Sequence, residues 1–234
     1  MNTPGVVFVA ATALGGRRIY GSIGSQIFAW EEGRRWPVGE QWGRFPKPVV
    51  SPDGQSLVVT IHEYAGMTLR NATNGAVLRE LPESGLGLVS FSPDSRWLAV
   101  SAGQSLRVEE VATGKVRWRA VRSDGGAHAC PVLFSPDGSL VAAEFDRNEA
   151  ALFEAATGRM IVRLVHPQRE LISSFAFTPD GGRLAVACPT HVVQVWDLRE
   201  LDREQTALGI DSGLSALRGQ PAAPGGPVHV TVAK

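Results

Sequence analysis

The chain is poor in cysteine. It has two, Cys130 and Cys188, and neither stands at metal-type spacing from another ligand. A disulfide framework and a cysteine zinc site are therefore set aside, and both residues read as small core side chains in apolar strand contexts. Net charge is also missing: 23 Lys and Arg balance 23 Asp and Glu, with no long run of one sign. Nucleic acid and an anionic membrane thus have no electrostatic footprint to bind. The balance is uneven along the chain, since the first fifty residues hold six basic against three acidic residues and the remainder is mildly acidic. No apolar run is long enough to span a bilayer. Val6 to Leu14 is apolar and Gly15-Gly16 follows, but no Lys or Arg precedes Arg17. The segment is read as part of the fold and the protein as cytoplasmic, with export through this stretch as the alternative. A nucleophile elbow, a phosphate-cradling glycine loop and a zinc signature are all lacking. No catalytic residue, metal or cofactor is assigned.

What is present is a repeated turn. Ser51-Pro52-Asp53-Gly54, Ser92-Pro93-Asp94-Ser95, Ser135-Pro136-Asp137-Gly138 and Thr178-Pro179-Asp180-Gly181 place their aspartates 41, 43 and 43 residues apart. A fixed period of this size marks a repeat architecture. Proline pre-sets φ, Ser, Thr and Asp bond nearby amides, and glycine accepts positive φ. Short β-favouring runs flank each turn, such as Val89-Ser90-Phe91 and Trp97-Leu98-Ala99-Val100. Each turn therefore joins a hairpin. The recurrence gives the aspartates a turn role rather than a catalytic one.

Five units follow, at 5–40, 45–84, 86–125, 128–168 and 171–210. Unit one is degraded: Thr12-Ala13-Leu14-Gly15 stands where the Pro-Asp turn belongs. Units two to four add a third strand, a second turn (Ala72-Thr73-Asn74-Gly75, Ala112-Thr113-Gly114, Ala156-Thr157-Gly158) and a fourth strand. In unit five the third strand, Val192 to Trp196, is followed by Leu198, Leu201 and Leu208 at helical spacing. A helix of about three turns is expected in place of the fourth strand. Residues 211–226 read as a Pro, Ala and Gly linker, and 227–234 as a terminal strand or tail. Four short antiparallel strands per period predict an all-β fold, a β-propeller of about five four-stranded blades with a short C-terminal helix.

At Trp196-Asp197, sixteen residues beyond Asp180, the pattern resembles the tryptophan–aspartate (WD) repeat family of β-propellers. The resemblance covers roughly Val49 to Leu198 and is best over Thr178 to Leu198. Trp30-Glu31, Leu69-Arg70, Glu109-Glu110 and Phe153-Glu154 stand at the Trp-Asp place in the other units. The family's buried network is not matched. In unit five Thr190 occupies the loop Asp place and Val186 the Ser/Thr place, and His166 follows Val165 rather than Gly. The blades are expected to rest on apolar packing instead, with Phe91, Phe134 and Phe177 in that layer. A seven-blade ring would need about 290 residues. The expectation is therefore a small ring, a fragment, or a ring completed by another chain. The resemblance of the ending to WD-repeat regions in large bacterial multidomain proteins implies a divergent bacterial protein.

In that family the second-to-third strand loops and the inter-blade loops share one face. His62, His128, His166 and His191 map there, as do Arg34, Arg35, Trp36, Trp42, Arg44, Phe45 and Tyr64. Tryptophan, tyrosine and arginine dominate interface hot spots. The reading is a non-catalytic scaffold that binds a protein or peptide through this loop face, with Trp42, Arg44, Tyr64, Arg122, Arg147 and His166 as contact residues. Trp42 as local core, and Trp36 as part of a fourth strand, stand beside it. The alternatives are a lactonase- or hydrolase-like propeller enzyme with a site near His62, His128 and His166, and a structural remnant of a larger signalling protein. Self-association, or pairing with another chain to close the ring, belongs to the same set of expectations.

Overall fold

The computed structural model describes residues 7–40, 42, 46–60, 67–81, 87–122, 130–146, 148–165, 171–190 and 192–214, with side chains from 11 onward. Blade one comprises β1 (Val7–Ala13), β2 (Arg18–Ile23), β3 (Gln26–Glu31) and β4 (Arg34–Val38). Blade two comprises β5 (Lys47–Val50), β6 (Ser56–Thr60), β7 (Met67–Asn71) and β8 (Val77–Leu81). Blade three comprises β9 (Gly87–Phe91), β10 (Trp97–Ala102), β11 (Ser105–Glu110) and β12 (Val116–Val121). Blade four comprises β13 (Val132–Phe134), β14 (Leu140–Asp146), β15 (Glu149–Glu154) and β16 (Met160–Val165). Blade five has β17 (Ser174–Phe177), β18 (Arg183–Ala187) and β19 (Val193–Asp197), followed by α1 (Leu198–Ala207). Each sheet is an antiparallel meander in chain order, four strands wide in blades one to four and three in blade five. Among the described residues no helix is long and apolar enough to cross a membrane.

The repeated turn has one chemistry in every copy. In blade two the Ser51 hydroxyl donates to Asp53 Oδ1 at 2.6 Å and accepts from the Ser56 amide at 2.9 Å. Asp53 Oδ1 also accepts from the Gln55 amide at 3.0 Å. Ser135 with Asp137, and Thr178 with Asp180, repeat this set. The aspartates are turn-formers, as their recurrence required. Blade one departs from expectation: β1 runs through Thr12 and Ala13, and a single 3-10 turn over Leu14–Gly16 reverses the chain. Leu14 there adopts φ 54°, and its amide donates to Pro52 O at 2.7 Å, which ties the degraded turn to its neighbour.

The glycine of the second turn sets the register of the outer strands. In blades two to four its amide closes on the residue four positions earlier: Gly75 on Asn71, Gly114 on Glu110 and Gly158 on Glu154. This corrects the sequence alignment of blade two, where the Trp-Asp place falls on Arg70-Asn71 rather than Leu69-Arg70. Arg70 starts the same five-residue step to its glycine as Glu109 and Phe153. The left-handed residue, φ 76° at Gly75, fixes the turn, and the Ala-Thr pair before it does not. In blade five the equivalent Asp197 caps α1 instead, accepting from the Glu200 amide at 3.0 Å.

Alternate residues of each sheet face the preceding and the following blade. Four apolar clusters result, one between each pair of successive blades. Phe91 and Phe134 lie in this layer as expected, and Phe177 packs against its edge. First strands lean on one another in sequence, β1 on β5, β5 on β9, β9 on β13 and β13 on β17. No packing of that extent joins β17 to β1 among the described elements. Among the described elements the succession of blades therefore has two ends, at blade one and blade five. The packed chain passes the expected boundary at 210: Ser212 donates to Asp202, and Leu214 is buried in the cluster between blades four and five. α1 follows β19 where a fourth strand would have begun and touches β18, while Leu198 and Leu214 join the cluster that holds Leu164 of β16.

Candidate functional site: the grooves between blades

Four of the six contact residues expected on the loop face, Arg44, Tyr64, Arg147 and His166, lie outside the described residues, as do His62, His128 and His191. The other two are buried, Arg122 between blades and Trp42 at the wall of the groove between blades one and two. Trp42 is 8% exposed. Its indole N–H donates to Val38 O at 3.0 Å, and the Arg70 guanidinium lies 4.4 Å from its ring centroid. A tryptophan in a loop buries its large apolar area when a neighbouring blade edge is in reach. Trp36 sits in β4 and packs half-buried on the cluster between blades one and two.

Arg122 is 1% exposed. It donates from Nε to Glu144 O at 2.9 Å and from Nη1 to Gly103 O at 2.7 Å, clamping blade three to blade four. Cys130 lies beside it. Burial pushes the Cys130 thiol up to about 12, against the pull of the nearby Arg122 charge. A thiol held protonated at neutral pH is a poor nucleophile. This cluster therefore joins blades rather than attacking a substrate. Among the described residues no three His, Cys, Asp or Glu side chains are placed to hold a metal.

Each junction also holds a matched pair, formed by the Trp-Asp-place residue of one blade and the preceding blade's outer edge. Trp42 meets Arg70 between blades one and two. Arg79 meets Glu109 between blades two and three, Nη2 to Oε1 at 2.6 Å. Trp118 stacks on Phe153 between blades three and four, centroids 5.7 Å apart. Trp196 packs in the cluster shared with Ile161 and Val162 of β16. The apolar packing expected in place of the family network is present between blades two and three, and a charged set is added to it there. There Glu109 also accepts from buried Arg107 at 2.6 Å.

Among the described residues, grooves open beside the repeated turns: Pro-Asp turn residues line the second and third in chain order, and Trp42, Arg70 and the second turn of blade two line the first. One opens at each of the first three junctions, at about 360, 480 and 400 Å3 in chain order. The third is chemically the richest. Trp97 forms its wall, half-buried, with Arg117 at 4.3 Å and Arg96 at 5.2 Å from its ring centroid. Asp94, Asp137 and Glu154 line the same groove. Burial opposes the Asp137 charge, but hydrogen bonds from the Ser135 and Ser139 hydroxyls and the Ser139 amide outweigh it and hold its pKa below the usual value. A half-buried aromatic ring with guanidinium groups in reach, in a groove lined by carboxylates, is a surface for a side chain that brings both charge and apolar area. Sequence reading missed it. The signal was Arg96-Trp97 directly after a Pro-Asp turn, where the other copies carry Gln55-Ser56, Ser139-Leu140 and Gly182-Arg183, none with an aromatic residue.

No family model and no curated protein matches the chain. Among solved structures it is similar to the hydrazine synthase of Kuenenia stuttgartiensis, a β-propeller-containing protein, with a TM-score of 0.63 and 20% identity. The match covers 80% of this chain and 56% of that one, so this chain spans little more than half of that protein's length. The fold is a β-propeller. At this identity the likeness speaks for architecture alone.

Proposed function

We propose that the chain is a non-catalytic, WD-repeat-like propeller scaffold that binds a protein or peptide. The binding surface of this reading is the groove between blades three and four. The single observation that carries it is Trp97, half-buried with Arg117 and Arg96 4.3 and 5.2 Å from its ring centroid, in a groove also lined by Asp94, Asp137 and Glu154. Exposed tryptophan and arginine concentrate binding energy at protein interfaces. A fitting ligand is an extended segment with an apolar residue for the Trp97 face and a basic side chain for the carboxylate rim. Selection of a displayed random-peptide library on the folded protein should return peptides of that kind. Their affinity should fall roughly tenfold or more in Trp97→Ala, the usual cost of truncating an interface tryptophan. Selected peptides whose binding is the same in Trp97→Ala and Arg117→Ala would refute the reading.

A further inference from the structure

Register makes the five blades comparable position by position, and two positions single out blades one and five. On the face toward the preceding blade, the second-strand position paired with the Trp-Asp-place residue holds Ile19, Leu57, Leu98, Val141 and Leu184 in blades one to five. The last four are 0% exposed, whereas Ile19 is 42% exposed. On the face toward the following blade, the third-strand position holds Ala29, Leu69, Val108, Leu152 and Val195. The first four are at most 2% exposed, whereas Val195 is 58% exposed. The same position in the same fold is buried wherever a neighbouring blade exists and bare only where the described residues supply none.

Both bare faces have the chemistry of a junction. In blade five, Ala176, Ala185 and Val195 stand in register across the sheet, matching Leu133, Ala142 and Leu152 of blade four, which blade five covers. Ala187 and Val193 extend the patch. In blade one, Trp30 occupies the place from which Phe153 and Trp196 reach the preceding blade, and half-buried Phe28 lies beside it with ring centroids 6.0 Å apart and the Arg35 guanidinium 4.8 Å over its ring. A contiguous bare apolar face of this sort marks an interaction site. A blade junction is heterologous: the leading face of one blade fits the trailing face of another, never its own kind. The chain carries one unused face of each kind. Charge is opposed as well: residues 1–50 carry six basic and three acidic side chains, and residues 171–214 carry six acidic and three basic.

We infer that the occupant of both faces is a second copy of this chain, joined head to tail. Blade one of one copy seats on the trailing face of blade five of the other and repeats the geometry used four times within the chain. The surface is separate from the groove between blades three and four, so the inference stands whether or not that groove binds a peptide.

The test is mass in solution, by light scattering after size exclusion, on the full chain and on Ile19→Glu and Val195→Glu. Both substitutions sit at exposed positions, so each variant should fold, with circular dichroism unchanged. The parent should run at no less than twice the 25.0 kDa of one chain. Each variant should dissociate at concentrations at least about tenfold higher than the parent does, because a charge set against an apolar face is costly to bury. Mixing the two variants should restore a complex, since Ile19→Glu keeps an intact blade-five face and Val195→Glu an intact blade-one face. A monomeric parent at about 100 μM, far above a typical specific Kd, would overturn the inference and point to the chain's own residues 215–234 or another protein as the cover. So would a parent dissociated by only one of the two substitutions, since that marks pairing of like faces.

Discussion

The junctions between blades two and three and between blades three and four occupy equivalent positions and use opposite chemistry. At the first, Arg79 meets Glu109, which is 2% exposed and also accepts from Arg107. At the second, the same positions hold Trp118 and Phe153, stacked, with the indole N–H donating across the junction to Ala155 O at 2.9 Å. The backbone geometry accepts either pair. What it does not accept is half of one, because a buried charge or an unfilled aromatic position has no solvent to fall back on. The lesson concerns specificity: each blade is matched to its own neighbour, not to any blade.

The largest effect should come from breaking the charged junction. Glu109→Leu removes the carboxylate from two guanidinium groups and should cost about 3–5 kcal/mol, read from urea unfolding. Replacing the whole set by the aromatic one, with Arg79→Trp, Arg107→Ala and Glu109→Phe together, should recover parental stability or exceed it. A triple variant as unstable as the single would show that the two junctions are not interchangeable. Next in size, an alanine Cβ at Gly158, φ 75°, would lie 2.6 Å from the Trp118 ring. Gly158→Ala should therefore cost about 2–4 kcal/mol, the sum of left-handed strain and overpacking. At Gly114 the Cβ would meet the Arg79 guanidinium at 2.9 Å, a flexible end that can move aside. Gly114→Ala should lose only the strain, about 1–2 kcal/mol. Equal losses would remove the distinction between a rigid and a yielding neighbour.

A smaller effect separates the junctions by pH. Asp137, in the turn beside the aromatic junction, has its pKa held below the usual 3.8 in the folded state. The unfolded chain therefore binds its proton first as pH falls. The stability this carboxylate contributes is present above about pH 4 and is lost as pH drops through the lower folded value. Asp137→Asn should flatten the acid side of the stability curve, followed by melting temperature from pH 6 to pH 2. An unchanged curve would show that the turn does not hold the charge. The least effect belongs to Ser95, which stands at the glycine place of the blade-three turn with φ 62° and accepts from the Asp53 amide at 3.0 Å. Ser95→Gly relieves the strain and loses that bond, so the net change should stay within about 0.5 kcal/mol.

Much of the fold was legible because turn chemistry is local. Ser51 to Gly54 and its copies contain within a few residues every hydrogen bond that closes them, and the spacing of Leu198 and Leu201 around a helix needs no partner to be read, although Leu208 falls just past the helix end and is exposed. Blade two shows the limit. Its Ala72-Thr73 pair resembles Ala112-Thr113, yet Gly75 sets the register, and the outer strand moves by one place. The binding surface was less legible. Trp42 and Arg122 lie in connecting segments, where composition alone does not show whether a side chain turns out or folds back. The buried Glu109 reads as an ordinary surface charge until Arg79 and Arg107 are seen around it.

The amino-acid sequence by itself determined the repeat, the hairpins and the helix that replaces a fourth strand, since these depend on φ preferences and on hydrogen bonds spanning a few residues. Tertiary structure alone decided which side chains meet between blades and where the succession of blades ends, because burial depends on what lies across a gap of some forty residues of chain, and no local pattern encodes that neighbour.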